Sequence, residues 1–265
     1  MISRRDIVLG LAAFAGEAAV SPLAARAQEG ERMRRIGVLT PSVADNPDAQ
    51  ARIGTFLQAL ERLGWTVGRN LQIDVRWAAG DADLLRRHAT ELVATAPDVI
   101  LASTNQGVGP LRQVTRTIPI VFVLAIDPVG AGDVASLARP GGNATGFSLY
   151  EYSISGKWLE LLKEIAPGVT RVAVLRDPGT SAGIGQFAAI QAVAPPFRVE
   201  LSTLDVRDGS EIEQALKAFA HEPNGALIVP AAAAAALHRD LIVTLAARHR
   251  LPSVHPFRSR VESGL

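Results

Sequence analysis

From Arg35 onward, short aliphatic runs alternate with stretches whose apolar residues recur every three or four positions. The run "IGVL" (Ile36 to Leu39) stops at Thr40-Pro41-Ser42. Ile53, Phe56, Leu57 and Leu60 then fall at i, i+3, i+4 and i+7, one face of a helix. Leu71, Ile73, Val75 and Trp77 alternate with polar residues, which predicts a half-buried strand. A helix is expected from Leu84 to Ala94. The runs "DVILAS", ending at Ser103, and "IPIVFVLAI", ending at Ile126, follow it; both are nearly continuous in aliphatic residues, as strands covered on both faces are.

The second half repeats the alternation. Trp158, Leu161, Leu162 and Ile165 make a helix face, and "RVAVL" (Arg171 to Leu175) is a strand ending before Asp177-Pro178. A helix from Ser181 to Val193 is stopped by Pro195-Pro196, and a strand follows from Val199 to Leu204. Ser210 and Glu213 have the spacing of a capping box for a helix running to Ala220. "ALIV" (Ala226 to Val229) is a strand, a helix runs to His249, and "PSVHP" is a short last strand.

Such alternation produces right-handed βαβ units and parallel sheets. The number of elements suits two adjacent sheets better than one. The divide is expected between Gly141 and Ser155, where Gly, Asn, Ser and Thr concentrate. Two lobes side by side make a cleft, and ligands of parallel sheets sit beyond the carboxyl ends of strands. The candidate site residues are therefore Thr40, Pro41, Ser42, Ser103, Thr104, Asn105, Asp127, Asp177 and the chain from Pro230 onward.

Composition narrows the function classes. A formal net charge of +1 with acids and bases interspersed gives no field for nucleic acid. Cysteine is absent, which excludes disulfides and thiolate metal sites. His88, His221, His238, His249 and His255 are scattered without metal-ligand spacing, so no metal is expected. Trp65 and Trp77 are expected to pack rather than bind. No G-x-S-x-G elbow occurs, and Ser103 has no evident base partner, so no catalytic residue is assigned.

The first residues have the three parts of an export signal: Arg4-Arg5, a mildly apolar stretch from Ile7 to Val20, and Ala25-Arg26-Ala27. Ser3-Arg4-Arg5 followed by Asp6-Ile7-Val8 resembles the twin-arginine form of such signals. Gly16, Glu17 and Pro22 interrupt the middle, so it is too weak for a membrane span. Residues 1–27 are expected to be removed, leaving a periplasmic protein that is not integral to the membrane.

The stretch "IVFVLAIDPVGAGDVASLARPGGNATG" poses the choice between a phosphate cradle and a holding cleft. Gly130, Gly132, Gly141, Gly142 and Gly146 lack the G-x-G-x-x-G spacing, and no G-K-[ST] occurs, so no nucleotide or other cofactor is expected. Asp127 follows a buried strand, where its carboxylate has two readings: an acceptor for an amine ligand, or a cap on the turn into a helix from Asp133 to Ala138. Ser103, Thr104 and Asn105 likewise read as ligand contacts or as the N-cap of the next helix.

"TIPIVFVLAIDPVGAGDVASLARPGGNATGFS" followed by "GKWLELLKEIAPGVTRVAVLRDP" closely resembles a family of ABC transporter substrate-binding proteins whose better-known members bind aromatic amino acids such as tryptophan. "RRIGVLTPS", "LGWTVGRNLQIDVRWAAGDADLLRRHATELVATAPDVILAS" and "LAARHRLPSVHPFRSRVESGL" match the same pattern in the same order. The resemblance implies a type I periplasmic-binding fold: two Rossmann-like α/β lobes with parallel sheets, spanning 34–150 and 151–265. It further implies a small-molecule ligand held between the lobes and an ABC permease in the inner membrane as partner. Phe257 stands where an aromatic covers a flat ligand, or else in the core.

Two departures bear on this. Family members usually continue past the segment matching "PFRSRVESGL" and return to the first lobe, so the fold is expected to be incomplete at its C-terminal end. After "ALIV" the chain reads "PAAAAAALHRD", where the family commonly places polar, acidic or aromatic groups; Ala231 to Ala236 cannot orient a polar ligand. Two other readings use the same fold class: a sensor module that passes closure to a receptor, and a small α/β enzyme.

Overall fold

A computed structural model describes residues 32–256, apart from 178–179, 206–207 and 232, and apart from the side chains of 233–234. The expected export signal and Phe257 lie outside the described residues. The first lobe carries β1 (Arg34–Thr40), α1 (Pro47–Arg62), β2 (Leu71–Trp77), α2 (Ala82–Ala94), β3 (Val99–Ser103), α3 (Thr104–Val114), β4 (Ile120–Ile126) and β5 (Ala144–Tyr150). A 3-10 turn at Tyr152–Ile154 leads into the second lobe. There α4 (Ser155–Ile165), β6 (Arg171–Arg176), α5 (Ser181–Val193), β7 (Glu200–Asp205), α6 (Gly209–Phe219), β8 (Gly225–Ile228), α7 (Ala233–Leu237), α8 (Arg239–Arg248) and β9 (Ser253–Val254) follow.

The two sheets are separate and every strand pair is parallel, in the orders β2-β1-β3-β4-β5 and β7-β6-β8-β9. Both orders reverse direction at their first strand, between β1 and β3 and between β6 and β8. Those reversals are the topological switch points at which parallel sheets leave a crevice for ligands. The described chain passes between the sheets once, through 150–155.

Apolar burial explains the aliphatic runs. In the first lobe, Leu39, Ile100, Ile120 and Phe122 point to one sheet face and are closed over by Leu85, Leu92 and Leu111 of α2 and α3. In the second lobe both faces of the short sheet are covered. Leu175 and Leu227 meet α6 and α8, while Val172, Val174 and Ile228 meet Leu159, Leu162 and Ile190 of α4 and α5.

Three local expectations change. Part of the Gly141 to Ser155 stretch is not a linker: its 7 residues Ala144–Tyr150 form β5, an edge strand of the first sheet. Gly146 makes this possible, because a Cβ there would lie 2.0 Å from the Phe122 carbonyl oxygen on β4. The segment from Asp133 to Ala138 is irregular, bent chain, not a helix. Asp133 is 7% exposed and spends its carboxylate on neighbouring elements rather than on a first helical turn. Helix α6 begins at Gly209, two residues earlier than the Ser210 to Glu213 box implies, because Asp208 is the N-cap. Asp208 Oδ1 accepts the N–H groups of Ser210 and Glu211 and the Ser210 hydroxyl. A carboxylate that caps three donors outcompetes a serine.

Candidate functional site

The carboxyl end of β1 turns sharply. Thr40 is 4% exposed, and its Oγ1 accepts the Ser42 N–H at 3.3 Å. The carbonyls of Thr40, Pro41 and Ser42 accept the N–H groups of Ala78, Gly80 and Ala79, which pins this turn to the end of β2.

Next to it, β3 runs directly into α3. Thr104 takes the left-handed backbone at φ 63°, an unusual state for a β-branched residue. Its hydroxyl is buried with no hydrogen-bond partner. Ser103 is the N-cap of α3 yet makes no side-chain cap bond. Gly107 lets the helix settle against the strands, since a Cβ there would stand 3.2 Å from the Leu39 carbonyl oxygen.

Asn105 braces two elements. Its Nδ2 donates to the Ile126 carbonyl at 3.0 Å and to Asp133 Oδ2 at 2.9 Å, and its Oδ1 accepts the Ile126 N–H at 2.8 Å. Burial raises the Asp133 carboxyl above its ordinary pKa, against the opposing pull of the Asn105 amide and of Arg112. This brace holds the end of β4 where its register with β5 shifts and where Leu124 and Asp127 take positive φ.

Asp127 serves the turn: its Oδ1 accepts the Gly130 N–H at 2.7 Å. Its Oδ2 faces the Tyr152 N–H at 3.5 Å, on the segment that crosses to the second lobe. The Tyr152 ring lies so close over Gly185 of α5 that a Cβ there would be 2.3 Å from it. Burial raises the Tyr152 hydroxyl pKa, with the Ser181 side chain acting the other way. Tyr150 ends β5 with its hydroxyl accepting from Gln186 Nε2 at 3.1 Å and its ring edge-on to Trp158.

On the opposite wall, Asp177 follows β6, and Gln106 Nε2 of α3 donates to its Oδ2 at 3.2 Å. The two switch points are therefore in direct contact. A second link spans the lobes at the rim, with Arg239 Nη1 3.8 Å from Asp48 Oδ2. Arg176, one residue before Asp177, is held bidentately by Asp205 at 2.7 and 2.8 Å and lies over the Phe187 ring. Its charge is thus engaged within its own lobe. Pro230 and Ala231 after β8 add no hydrogen-bonding side chain to this wall.

Of the residues expected from sequence, Thr40, Pro41, Ser42, Ser103 and Thr104 gather at the first switch point and Asp177 faces them from the second lobe. Asn105 and Asp127 stand beside the group, Asn105 bonded to the Ile126 backbone and the Asp133 carboxylate and Asp127 to backbone N–H groups. Sequence reasoning missed Gln106, Tyr152 and Gly185. A signal for Gln106 was present: Ser103-Thr104-Asn105-Gln106 has the S-x-x-Q spacing of a capping box. Neither side chain makes that box, and the glutamine reaches across the cleft instead. Among the described residues, no group of three or more His, Cys, Asp or Glu is placed to hold a metal ion. None of the described helices is long and apolar enough to cross a membrane.

Comparison with known proteins agrees with this fold. A family profile described as "ABC transporter substrate binding protein" matches residues 36–264. A tyrosine-binding protein of Clostridioides difficile (strain R20291) is 25% identical over 236 residues, covering 89% of this chain and 67% of the relative. The crystal structure of a conserved domain protein from Vibrio cholerae superposes with TM-score 0.79 at 27% identity, over 88% of this chain and 77% of that one. An ABC domain in complex with L-Trp from Streptococcus pneumonia superposes with TM-score 0.77 at 23% identity, again over 88% and 77% of the two chains.

Proposed function

The chain belongs to the ABC transporter substrate-binding protein family, and on that premise we propose that it binds an aromatic amino acid in the cleft between its two sheets. The family role is to hold a small solute and deliver it to a membrane permease, outside the cytoplasm. The observation that carries the ligand site is the meeting of the two switch points at Gln106 and Asp177. Thr40, Ser42, Ser103 and Thr104 line one side with hydroxyl and backbone groups, and Asp177 supplies a carboxylate on the other. The wall after β8 is apolar, which suits the ring of an aromatic ligand rather than its polar end. A tyrosine-binding relative and a tryptophan-bound structural neighbour support this class.

Holding rather than turnover is the reading for this cleft. Asn105 and the buried Asp133 beside it are spent on bracing β4. Residues 1–27 are proposed to direct export and to be removed, with Arg4-Arg5 as the twin-arginine element. Phe257 is proposed as an aromatic cover on the ligand.

The test is a thermal-shift screen of the full chain against L-tyrosine, L-tryptophan, other amino acids and aromatic acids, followed by titration calorimetry of the hits. Ligand at about a hundred times its Kd should stabilise the fold by about 2.7 kcal/mol. Stabilisation by an aromatic amino acid without chemical change in the recovered compound supports the proposal. Release of a converted product, or no shift across the panel, overturns it.

A further inference from the structure

Resting on the solute-binding reading, we infer that Gln106 couples ligand recognition to lobe closure, as the acceptor for an N–H or O–H donor of the bound solute. The Asp177 carboxylate can only accept while ionised, so the Gln106 amide must turn its Nε2 toward it, as it does at 3.2 Å. That fixes the carboxamide: Oε1 points away from Asp177, and reversing the amide would set two acceptors against each other. Oε1 is buried and has no hydrogen-bond partner. A sealed acceptor without a donor opposes the arrangement that seals it. The contact with Asp177 therefore forms at a disadvantage until a donor reaches Oε1.

Among the described residues no group donates to Oε1. The Ser103 hydroxyl does not cap the helix on which Gln106 sits, and Gln106 does not cap it in return. Asn105, adjacent in sequence, donates to Ile126 and Asp133 instead. Arg176 is committed to Asp205. The group that satisfies Oε1 comes from the solute, and the Asp177 charge on the other side of the amide favours a cationic donor such as an ammonium. One side chain then reads the ligand on its oxygen and holds the opposite lobe on its nitrogen.

The experiment uses two ligand pairs that keep ring and carboxylate but lose the ammonium: L-tyrosine with 3-(4-hydroxyphenyl)propanoate, and L-tryptophan with indole-3-propanoate. Affinity is measured by calorimetry, and closure by small-angle scattering or by fluorescence transfer between labels on α1 and α8. Wild type is expected to prefer the amino acid of at least one pair by about tenfold or more, the worth of one hydrogen bond to a charged group. Gln106→Met, similar in shape but without the amide, is expected to lose most of that preference and the ligand-induced closure. Gln106→Glu keeps an acceptor for the ligand but sets a carboxylate against Asp177, so it should retain the preference while closing poorly. Thermal melts of both variants check that they fold.

If Gln106→Met keeps the preference and the closure of wild type, the inference is overturned while the solute-binding reading stands. If both variants behave alike, the division of roles between oxygen and nitrogen is wrong. If wild type binds no member of either pair, the aromatic amino-acid reading falls and this inference falls with it.

Discussion

Replacing Thr104 with glycine should make the protein more stable and a poorer binder. Thr104 holds φ 63°, and its hydroxyl is sealed without a partner. The left-handed backbone costs an L-residue about 1–2 kcal/mol, and an unmade buried hydrogen bond costs another ~1–3 kcal/mol. Glycine gives back about 0.5–1 kcal/mol through the freedom it adds to the unfolded chain, and losing the buried methyl costs about 0.8 kcal/mol. The balance is a stabilisation of about 1–3 kcal/mol, or a rise in Tm of roughly 3–8 °C for a protein of this size. Calorimetry and urea midpoints, with an unchanged m-value, measure it. Thr104→Ala separates the parts: it removes the hydroxyl but keeps the left-handed side chain, so it should gain less than glycine. A Thr104→Gly protein no more stable than wild type would refute the strain argument. Unchanged affinity for the wild-type ligand would remove Thr104 from the binding wall.

Gly146→Ala should destabilise the first lobe by about 2–4 kcal/mol, because the new methyl collides with the Phe122 backbone of β4, which has no side-chain freedom with which to yield; a melt within a degree or two of wild type would contradict this. Asp98→Asn should weaken the fold at neutral pH and cease to matter in acid. The Asp98 carboxyl is held below its ordinary pKa chiefly by the Arg35 N–H, with the Arg34 side chain assisting. The unfolded chain therefore binds this proton more readily than the folded one. The stability Asp98 contributes is complete above the unfolded carboxylate range and is lost as pH falls through its lowered folded pKa. Urea midpoints of wild type and variant should differ at pH 7 and converge below about pH 4; a constant gap would refute the linkage.

The architecture was legible because buried parallel strands must be apolar over their whole length. The runs ending at Leu39, Ser103, Ile126 and Leu175 could hardly be anything else, and their polar ends supply the candidate site residues. What escaped was decided by distance in three dimensions. β5 reads as a linker since "ATGFSLY" has little aliphatic content, yet Gly146 lets it approach β4 closely enough to pair. Asp208 displaced an expected capping box because a carboxylate two residues earlier offers a stronger acceptor. Gln106 carries a local pattern that predicts capping, and only the proximity of Asp177, 71 residues away, shows where its amide goes. Positive φ at Thr104 and Leu124 has no sequence signature at all, since neither residue type favours it.

The solitary passage of the described chain from one sheet to the other, through 150–155, has a consequence for how the molecule is made. Everything that β1 to β5 need in order to pair is already synthesised before α4 emerges, so the leading half can consolidate on the ribosome with its partner still untranslated. Two polypeptides split within that passage should then reassociate when mixed, held by the contacts of Tyr150, Tyr152, Asp127, Gln106 and Asp48 across the divide and by whatever metabolite they enclose.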